Sequence, residues 1–597
     1  MKFLLVAVNA KYIHSNPALY SLRVFAGKNL QEHVEFREYT INHRQEDILG
    51  DIYRRKPDAV AFSCYIWNWS MVRELAEELG RLLPGLPIWL GGPEVSFDAT
   101  EILQQSPWIT GIMLGEGEET FRELLTCYVN EENKEDTWGQ CLEEQFKKIP
   151  GLMLRTGFTG ERPLLDLNRI PFWYEDLEPF TNRIIYYESS RGCPFRCSYC
   201  LSSIDKRVRL RDVETVKKEL QFFLDRQVPQ VKFVDRTFNC DHQHAMSIWK
   251  YISQHDNGVT NFHFEISGDL LREEELELLS RMRPGLVQLE IGVQSTNPET
   301  LQEIHRFTDL DRLAGNVERI RQGRNIHQHL DLIAGLPFED YASFTESFDQ
   351  VYAMRPHQLQ LGFLKVLKGS PMYQMTQEYG LVYQSRPPYQ VYHTRWLSYE
   401  ELMGLKLVEE MVELYYNSNQ FTHTLPLLEQ RFSGPFALYR ALADFYEARG
   451  YFVNTPARVQ RYKILLEFAV YVDPERADWY REALIYDLYL REKVKSRPDF
   501  GSEPEAYKDW YRWFYDREAE HREYLPGYQG CDARQLSRMT HLEPFRYPVW
   551  MEQPGKEHTQ LNEEQSAVHF VLFDYRERDP LTGAARTVVL DSSGKRI

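Results

Sequence analysis

Short apolar stretches alternate with amphipathic stretches along the first part of the chain. The apolar stretches predict five strands, at residues 2–9, 34–40, 58–65, 87–92 and 109–115. The amphipathic stretches predict helices at about 17–27, 44–55, 68–83, 96–104 and 117–129. Strand–helix alternation with short connections is typical of a doubly wound parallel sheet, which binds ligands at the carboxyl ends of its strands.

A second alternation begins near residue 184. It predicts six strands, at 184–190, 230–238, 261–267, 286–295, 327–336 and 358–366. The first intervening helix shows the expected apolar stripe at Val213, Val216, Leu220 and Leu224. Six strand–helix units predict a partial (β/α)6 barrel of the TIM type, whose chemistry lies on the loops after the strands.

The rest of the chain reads as mainly helical. Helices are predicted at 399–417, 424–449, 456–470, 474–494 and 503–520, followed by a small hairpin from 569–575 and 586–590. We therefore expect an α/β protein with a Rossmann-like domain at 1–130, a linker at 131–183, a barrel at 184–370 and a helical domain at 371–597. Within the linker, residues 151–154 and 162–167 predict a hairpin.

Composition narrows the class of protein. The formal charge of −18 argues against a large phosphate-binding surface, so nucleic acid is not an expected partner. There is no apolar run long enough to span a membrane, and the apolar N-terminus lacks a signal-peptide cleavage site. Eight cysteines, three of them clustered, indicate metal binding in a reducing compartment, and we expect a cytoplasmic protein.

The clustered cysteines are Cys193, Cys197 and Cys200, spaced C-x3-C-x2-C just after the first barrel strand. Thiolates suit iron–sulfur clusters, zinc or copper. Three thiolates leave one iron of a four-iron cluster free, whereas structural zinc requires a fourth protein ligand. Candidates for that fourth ligand are Cys240, His242 and His244. The position of the loop at a strand end favours the cluster.

Polar residues gather at or near the ends of the other barrel strands. They are Asp235, Glu265, Glu290, Gln294 and Ser295. Burying unpartnered polar groups is costly, so their number at one end of a barrel indicates a polar ligand. Each also has a structural explanation, since Ser295 can cap a helix and Glu290 can pair with Arg236 or Arg191.

The cysteine loop, with Tyr199 before its last cysteine, resembles the CxxxCxφC motif of the radical S-adenosylmethionine (radical SAM) superfamily. The runs at 290–301 and 333–339 resemble that superfamily's fourth- and fifth-strand patterns. The resemblance implies a [4Fe-4S] cluster held by the three cysteines and S-adenosylmethionine bound beside it. It implies S-adenosylmethionine contacts from Tyr199, near adenine, and from Asp235, Glu265, Glu290, Gln294 and Ser295.

Glycine-rich turns follow two strands of the first domain, as Gly91-Gly92-Pro93-Glu94 and Gly115-Glu116-Gly117. Alone, they fit a generic nucleotide-binding or response-regulator fold equally well. Placed before the cysteine loop, this domain resembles the cobalamin-binding domain of cobalamin-dependent radical SAM enzymes. The resemblance implies cobalamin contacts from Ser63, Gly91, Gly92, Pro93, Gly115, Glu116 and Gly117.

One feature departs from other cobalamin proteins. The D-x-H-x-x-G motif, whose histidine ligates cobalt, is absent, because His14, His33 and His43 lack the flanking residues. The resemblance thus implies cobalamin without a histidine ligand from that motif. Tyr65 and Trp67 are candidates for the lower face of cobalt by position, and equally candidates for packing aromatics.

The function implied by the resemblance is reductive cleavage of S-adenosylmethionine and methylation of an unactivated carbon, or phosphorus, through methylcobalamin. It assigns no further catalytic residue. A cyclisation or rearrangement without methyl transfer is the alternative, and a nucleic-acid-modifying radical enzyme or a non-catalytic cobalamin or redox sensor remain open. The expected partners are a small-molecule or peptide substrate and an electron donor such as flavodoxin or ferredoxin. The C-terminal domain is expected to act as a lid or to define the substrate.

Overall fold

The computed structural model describes residues 1–131, 138–501, 504–551 and 568–597. Its first sheet has the strand order β2-β1-β3-β4-β5-β6-β7, with the first five strands parallel. The strands are β1 Phe3–Asn9, β2 Val34–Thr40, β3 Ala59–Ser63, β4 Ile88–Gly91, β5 Gly111–Met113, β6 Leu152–Leu154 and β7 Gly157–Phe158. The helices are α1 Pro17–Phe25, α2 Lys28–Gln31, α3 Gln45–Arg55, α4 Trp69–Leu82, α5 Ala99–Gln105, α6 Gly117–Glu131 and α7 Trp138–Phe146.

β1 shows why this sheet is buried on both faces. All seven of its residues are buried, and alternate side chains enter two separate apolar clusters. Leu4, Val6 and Val8 pack in one cluster, while Phe3, Leu5 and Ala7 pack in the other. Because side chains of a strand point alternately to opposite faces, a strand covered on both sides is apolar throughout. The predicted parallel α/β arrangement is confirmed.

The segment predicted as a linker contributes to the first sheet. β6 pairs antiparallel with β5, and β7 follows it, so the sheet continues past residue 130. The second hairpin arm lies at 157–158, and the prediction of 162–167 is wrong. Arg155 pins the intervening turn by donating to the carbonyl oxygens of Leu103, Ser106 and Ile109 at 2.7–2.9 Å. The charged break predicted at 131–136 lies mostly outside the described residues.

The second sheet is parallel and has the order β15-β14-β13-β12-β11-β8. Its strands are β8 Ile185–Tyr187, β11 Gln230–Phe233, β12 Asn261–Ile266, β13 Val287–Gln294, β14 His327–Ala334 and β15 Gln358–Phe363, with a side ribbon of β9 Ser190–Arg191 and β10 Arg209–Leu210. The helices are α8 Val213–Asp225, α9 His242–Gln254, α10 Glu273–Ser280, α11 Pro298–Glu303, α12 Leu310–Gly323 and α13 Tyr341–Ala353. Each strand pairs with the previous one in the chain, as strand–helix repetition requires.

Residues of β13 alternate between the two faces of this sheet. Val287, Leu289, Ile291 and Val293 are fully buried and join the core shared with the helices. The intervening residues, including Glu290 and Gln294, are half-buried and lie on the opposite, inner face. Four of the helices begin with an aspartate that caps their backbone N–H groups: Asp212, Asp241, Asp309 and Asp340.

The remaining residues form helices packed on this sheet and a small terminal sheet. The elements are α14 Pro371–Gln374, β16 Val382–Tyr383, β17 Val391–His393, α15 Tyr399–Met411 with a π-helical turn Val412–Tyr416, α16 Thr424–Glu429, α17 Pro435–Ala448, α18 Arg458–Val472, α19 Ala477–Arg491, α20 Lys508–His521, α21 Ala533–Met539, β18 Thr540–Phe545, β19 His569–Arg578 and β20 Ala585–Leu590. β18, β19 and β20 form one antiparallel sheet. The single helix predicted at 424–449 is two helices, because Gly434 and Pro435 start a new one.

The helices share a continuous apolar core with the strands of the second sheet. Asn417 also covers the open edge of β15, since its side chain accepts from the Leu359 N–H and donates to the Leu359 carbonyl, both at 2.9 Å. Paired in this way, the edge has fewer free backbone groups for association with other chains. Among the helices in the described ranges, none has both the length and the apolarity to cross a bilayer.

Candidate functional site

The cysteine loop is closed at its base and fixed at its centre. β9 and β10 pair on either side of it, and Gly192 has a φ of 99°. A Cβ at Gly192 would lie 2.2 Å from the Arg207 carbonyl oxygen, so only glycine fits this turn. At the centre, the Ser198 N–H donates to Ile304 at 3.0 Å and the Ser198 carbonyl accepts from Met372 at 2.9 Å. The loop is therefore held by backbone contacts to two neighbouring segments.

The three sulfur atoms have a donor environment that fits a cluster. Cys193 and Cys197 are buried and Cys200 is half-buried. Arg306 Nη1 lies 3.9 Å from Cys197 Sγ, and Arg306 Nη2 donates to the Gly292 carbonyl. Burial raises the pKa of the Cys197 thiol, and the Arg306 guanidinium opposes that rise. Sequence reasoning missed Arg306, because nothing in its local sequence links it to a cysteine 109 residues away.

The spacing of the sulfurs differs from that of a single-metal site. In the described part of the chain, the only trio of His, Cys, Asp or Glu ligand atoms within 4.8 Å of one another is that of Glu290, His329 and Asp331. The three loop sulfurs do not form such a group. Sulfurs bound to one tetrahedral zinc at about 2.3 Å lie only about 3.8 Å apart. A cubane binds each thiolate to a separate iron and does not require such a close group.

The histidines that zinc would need have other partners. His242 Nδ1 lies 3.0 Å from Glu275, and its Nε2 lies 3.5 Å from Glu274. His244 Nε2 lies 3.1 Å from Ser189 Oγ. Cys240 lies near Cys193: burial raises the pKa of Cys240 to about 11, and the charge of Cys193 adds to that rise.

Asp235 connects the second barrel strand to the base of the cysteine loop. Its carboxylate is buried and accepts from Ser189 N–H at 3.0 Å, Ser189 Oγ at 2.6 Å and Ser190 Oγ at 2.5 Å. Burial raises the pKa of Asp235 to about 6, against the stabilising effect of these hydrogen bonds. The structure thus gives Asp235 a positioning role, and its predicted contact with S-adenosylmethionine stays a prediction.

Gln294 and Ser295 lie where the fourth barrel strand turns into its loop. The pairing of β13 with β14 shifts by one residue here, and Gln294 has a positive φ of 76°. Ser295 Oγ donates to Glu339 at 2.5 Å and accepts from the Asn297 N–H at 3.0 Å. Glu339 also accepts from Ser347 Oγ at 3.0 Å, so it joins the loop after β13 to α13.

Glu265 and Glu290 face the inner side of the sheet, beside each other in register. Glu290 lies 3.2 Å from Lys232 Nζ and 3.0 Å from His263 Nε2. Glu265 lies 3.9 Å from Arg236. Burial raises the pKa of Glu265 to about 7. The predicted pairing of Glu290 with Arg236 or Arg191 is wrong, because Lys232 and His263 hold that place.

Tyr199 lies half-buried in the cysteine loop, packed against the barrel core. Burial raises the pKa of its hydroxyl, and the Arg306 guanidinium lowers it. Tyr199 therefore faces the same arginine as Cys197. Its predicted position beside adenine stays a prediction.

The turn after β4 approaches the loop after β3 very closely. Gly92 has a φ of 115°, and a Cβ there would lie 2.4 Å from the Cys64 carbonyl oxygen. Glycine is thus required by a contact within the protein. Glu94, after Gly91 and Pro93, accepts from the Tyr389 hydroxyl of the C-terminal segment. By contrast, a Cβ on Gly115 would meet no atom within 4 Å, so the turn after β5 leaves open space for a ligand.

Glu116 and Glu118, in and beside the second glycine turn, are engaged by arginines of the barrel domain. Arg191 lies 3.0 Å from Glu116, 2.9 Å from Glu118 and 2.7 Å from Glu188. Arg209 lies 2.7 Å from Glu116. We call these five residues the interdomain ion cluster. It joins the Gly115–Gly117 turn to the start of the cysteine loop, a contact that sequence reasoning did not find.

The loops after β1 and β3 also face the barrel. Ser63 Oγ accepts from Asn16 at 3.1 Å, and His14 Nδ1 lies 2.6 Å from the Tyr186 hydroxyl of β8. Tyr65 and Trp67 stack with ring centroids 4.4 Å apart, and Trp67 is exposed. Burial raises the pKa of Tyr65, and the barrel's Arg236 opposes that rise. Trp67 is thus exposed, whereas Tyr65 is half-buried and lies close to the Arg236 side chain of the second sheet.

Three family models match consecutive parts of the chain. A B12 binding domain matches residues 4–125, the radical SAM superfamily matches 187–351, and a protein of unknown function, DUF4080, matches 377–573. The first two matches confirm the predicted domain types. The interdomain ion cluster joins residues of these two matched domains.

Curated relatives share the first two domains. The chain is 25% identical over 56% of its length to 2-(S-pantetheinyl)-carbapenam-3-carboxylate methyltransferase of Streptantibioticus cattleyicolor, covering 50% of that protein. It is 23% identical over 55% of its length to the cobalamin-dependent radical SAM methyltransferase TokK of Streptomyces tokunonensis, covering 50% of it. It is 24% identical over 54% of its length to the anaerobic magnesium-protoporphyrin IX monomethyl ester cyclase of Rubrivivax gelatinosus, covering 59% of it. The chain thus spans about half the length of the curated relatives it matches.

A solved structure has a similar fold. The radical S-adenosylmethionine methyltransferase TsrM from Kitasatospora setae, with cobalamin and a [4Fe-4S] cluster bound, superposes with a TM-score of 0.51 at 18% identity. The match covers 64% of this chain and 76% of TsrM. The chain thus combines a B12 binding domain, a radical SAM domain that contains the cysteine motif, and a C-terminal DUF4080 domain, and it shares the first two domains with relatives named as cobalamin-dependent radical SAM methyltransferases.

Proposed function

We propose that the protein is a cobalamin-dependent radical SAM methyltransferase acting on an unactivated carbon or on phosphorus. The observation that carries this proposal is the interdomain ion cluster, because it fixes the glycine turn of the B12 binding domain against the cysteine loop. Three of the curated relatives are named methyltransferases. An enzyme of this kind needs both cofactors to face one substrate, and this junction supports that arrangement.

Cys193, Cys197 and Cys200 would hold the [4Fe-4S] cluster, and Ser63, Gly91, Gly92, Pro93, Gly115, Glu116 and Gly117 are proposed around cobalamin. Tyr199, Asp235, Glu265, Gln294 and Ser295 are proposed around S-adenosylmethionine. When bound, these groups supply reductive cleavage of S-adenosylmethionine, hydrogen abstraction and a methyl group.

The residues of the chain bind and orient the cofactors and the substrate, and they exclude water from the site. Asp235 fixes the base of the cysteine loop through Ser189 and Ser190. Arg306 places positive charge beside the Cys197 sulfur, which favours the thiolate. We also infer that the six parallel strands curve into a partial barrel around the substrate, and that the DUF4080 domain covers its mouth. A small-molecule or peptide substrate and a flavodoxin- or ferredoxin-type donor in the cytoplasm fit this proposal.

The experiment uses full-length protein, reconstituted anaerobically with iron, sulfide and hydroxocobalamin and reduced with dithionite. S-adenosylmethionine is added, and S-adenosylhomocysteine and 5′-deoxyadenosine are measured by mass spectrometry. Formation of both supports methyl transfer with radical chemistry. The Cys200→Ala variant, treated identically, is expected to form no 5′-deoxyadenosine.

The second candidate function is cyclisation or rearrangement without methyl transfer, because one set of relatives is named as cyclases. In that case 5′-deoxyadenosine accumulates and S-adenosylhomocysteine does not. Absence of both products from cluster-loaded protein would contradict either enzyme function and favour a sensor.

A further inference from the structure

Four side chains of three adjacent strands converge on the inner face of the second sheet. They are His263 of β12, Glu290 of β13, and His329 and Asp331 of β14. His263 Nε2 lies 3.0 Å from Glu290 Oε2, and His329 Nε2 lies 2.9 Å from Asp331 Oδ1. Ligand atoms of Glu290, His329 and Asp331 all lie within 4.8 Å of one another. We call these four residues the lumen cluster.

Several atoms of the lumen cluster are buried without a hydrogen bond of acceptable geometry. His263 and His329 are each only 7% exposed. Their Nε2 atoms, and Asp331 Oδ1, are buried and have no hydrogen-bond partner despite the short distances to carboxylates. Leaving a buried polar atom unsatisfied costs about 1–3 kcal/mol, so three together indicate a missing common partner.

The distances suit ligands arranged around one ion. Two ligand atoms that each lie about 2.1 Å from a metal, at the angles of tetrahedral or octahedral coordination, are about 3.0–3.4 Å apart. The observed separations of 3.0 and 2.9 Å are close to that range. An imidazole nitrogen and a carboxylate oxygen that both point at one cation lie this close together without having hydrogen-bond geometry.

The charge of the surroundings also favours a cation. Glu265, Glu290 and Asp331 face this space, and the neighbouring cations are Lys232, 3.2 Å from Glu290, and Arg236, 3.9 Å from Glu265 and 59% exposed. Lys232 also acts on Glu265 and Asp331, so one lysine and the exposed Arg236 face three carboxylates. The basic group in direct contact with Asp331 is the ring of His329, at 2.9 Å.

We propose that the lumen cluster binds one divalent metal ion of the kind that prefers mixed nitrogen and oxygen ligands, zinc or manganese. His329, Asp331 and Glu290 supply the central ligands and His263 a fourth. The donor set matches these ions, since imidazole suits zinc and carboxylates suit manganese as well. Thiolates take no part, so this site is chemically separate from the cysteine loop.

The lumen cluster also lies apart from the strand ends where S-adenosylmethionine is proposed to bind. Glu290 pairs in register with His329, in the middle of β13 and β14, whereas the cysteine loop and Ser295 follow strand ends. The proposal therefore assigns Glu290 to a metal and removes it from the S-adenosylmethionine contacts. It does not depend on methyl transfer.

The test uses full-length protein whose iron–sulfur cluster has been reconstituted, so that the cysteines are occupied. Mn²⁺ and Zn²⁺ are titrated separately in equilibrium dialysis, and bound metal is measured by elemental mass spectrometry beside the iron. We expect one equivalent of Mn²⁺ or Zn²⁺ per chain. The affinity should fall at least tenfold in His329→Gln and in Asp331→Asn, because loss of even an outer partner costs about 10–100-fold.

His327→Gln is the matched control, since His327 lies on the same strand and face but outside the group of three ligands. It should keep the wild-type affinity. Iron content and circular dichroism of each variant establish that it is folded. Wild-type protein that binds neither ion, or a folded His329→Gln that binds as tightly as wild type, overturns the proposal. Because no turnover is measured, failure here leaves the proposed methyltransferase function unaffected.

Discussion

Four cysteines lie close to the barrel mouth, and only Cys193, Cys197 and Cys200 are predicted to hold iron. Alanine at each of these three removes a thiolate that no other residue replaces, so iron and sulfide content should fall at least about tenfold. Cys240→Ala is the control and should keep both, because a cubane needs only the three loop cysteines. Loss of metal in Cys240→Ala, with zinc in the purified wild type, would instead identify a four-ligand zinc site.

The raised pKa of the buried Glu339 carboxyl leads us to expect that the stability of the protein depends on pH. Burial raises its pKa from 4.5 to about 7, opposed by the hydrogen bonds from Ser295 and Ser347. The folded protein thus holds a proton that the unfolded chain releases between about pH 4.5 and 7. This contribution to the free energy of unfolding is full at low pH and declines as pH rises through 7, by at most about 1.4 kcal/mol per pH unit.

Glu339→Gln removes that titration while keeping an acceptor for Ser295. Its melting temperature relative to wild type should therefore rise from pH 5 to about pH 7 and level off above that, as measured by scanning calorimetry. Glu299→Gln, at an exposed position nearby, should show no such trend. A constant difference between Glu339→Gln and wild type across this range would show that Glu339 is ionised throughout.

At the scale of elements, the apolar runs predicted the positions of the strands more accurately than the residues at which the strands end. The second barrel strand ends at Phe233 although the apolar run suggested 238, and the fifth ends at Ala334 instead of 336. Beyond those points, residues such as Asp235 turn towards the cysteine loop. Backbone pairing with the neighbouring strand stops there, although the apolar run in the sequence continues. Strand pairing depends on neighbours distant in sequence, so β6 and β7 were misassigned to a linker.

β6 gives a prediction about the isolated first domain. It covers the edge of β5, with Met113 paired to Leu152. Arg162 then binds Glu123 at 2.6 Å and Leu165 N–H donates to Glu116 at 2.7 Å. A fragment of residues 1–166 should thus melt cooperatively and retain corrinoid in excess hydroxocobalamin, whereas 1–150 should aggregate through its exposed strand edge. Equal solubility and melting temperature for the two fragments would show that β6 adds nothing.

At the scale of the whole molecule, the junction of the first two domains could not be predicted from sequence. Arg191 and Glu116 are 75 residues apart in the sequence. The pattern of the glycine turn that carries Glu116 indicated only a ligand-binding loop and gave no sign of a contact with Arg191. Arg191→Ala removes the positive charge that compensates the carboxylates of Glu116, Glu118 and Glu188. Docking should weaken by about 2 kcal/mol, less than the about 3–5 kcal/mol for a fully buried pair, since Arg191 is 23% exposed.

Limited proteolysis of the segment at 159–184 measures that loss of docking, and cleavage should be faster in Arg191→Ala than in wild type. Adding Glu116→Gln and Glu118→Gln to Arg191→Ala should slow the cleavage again, because uncompensated buried carboxylates cause most of the penalty. Unchanged cleavage in the single variant would contradict the docking role.

Corrinoid content then separates the two roles assigned to Glu116. If Glu116 serves only the interdomain ion cluster, Glu116→Gln protein should keep its corrinoid while formation of a methylated product declines, because the cofactors lose alignment. If Glu116 contacts cobalamin, as the sequence resemblance implies, corrinoid should be lost in the same proportion as activity. Arg209, 2.7 Å from Glu116 and outside the glycine turn, provides the matched variant. Arg209→Gln should reproduce the first pattern in either case.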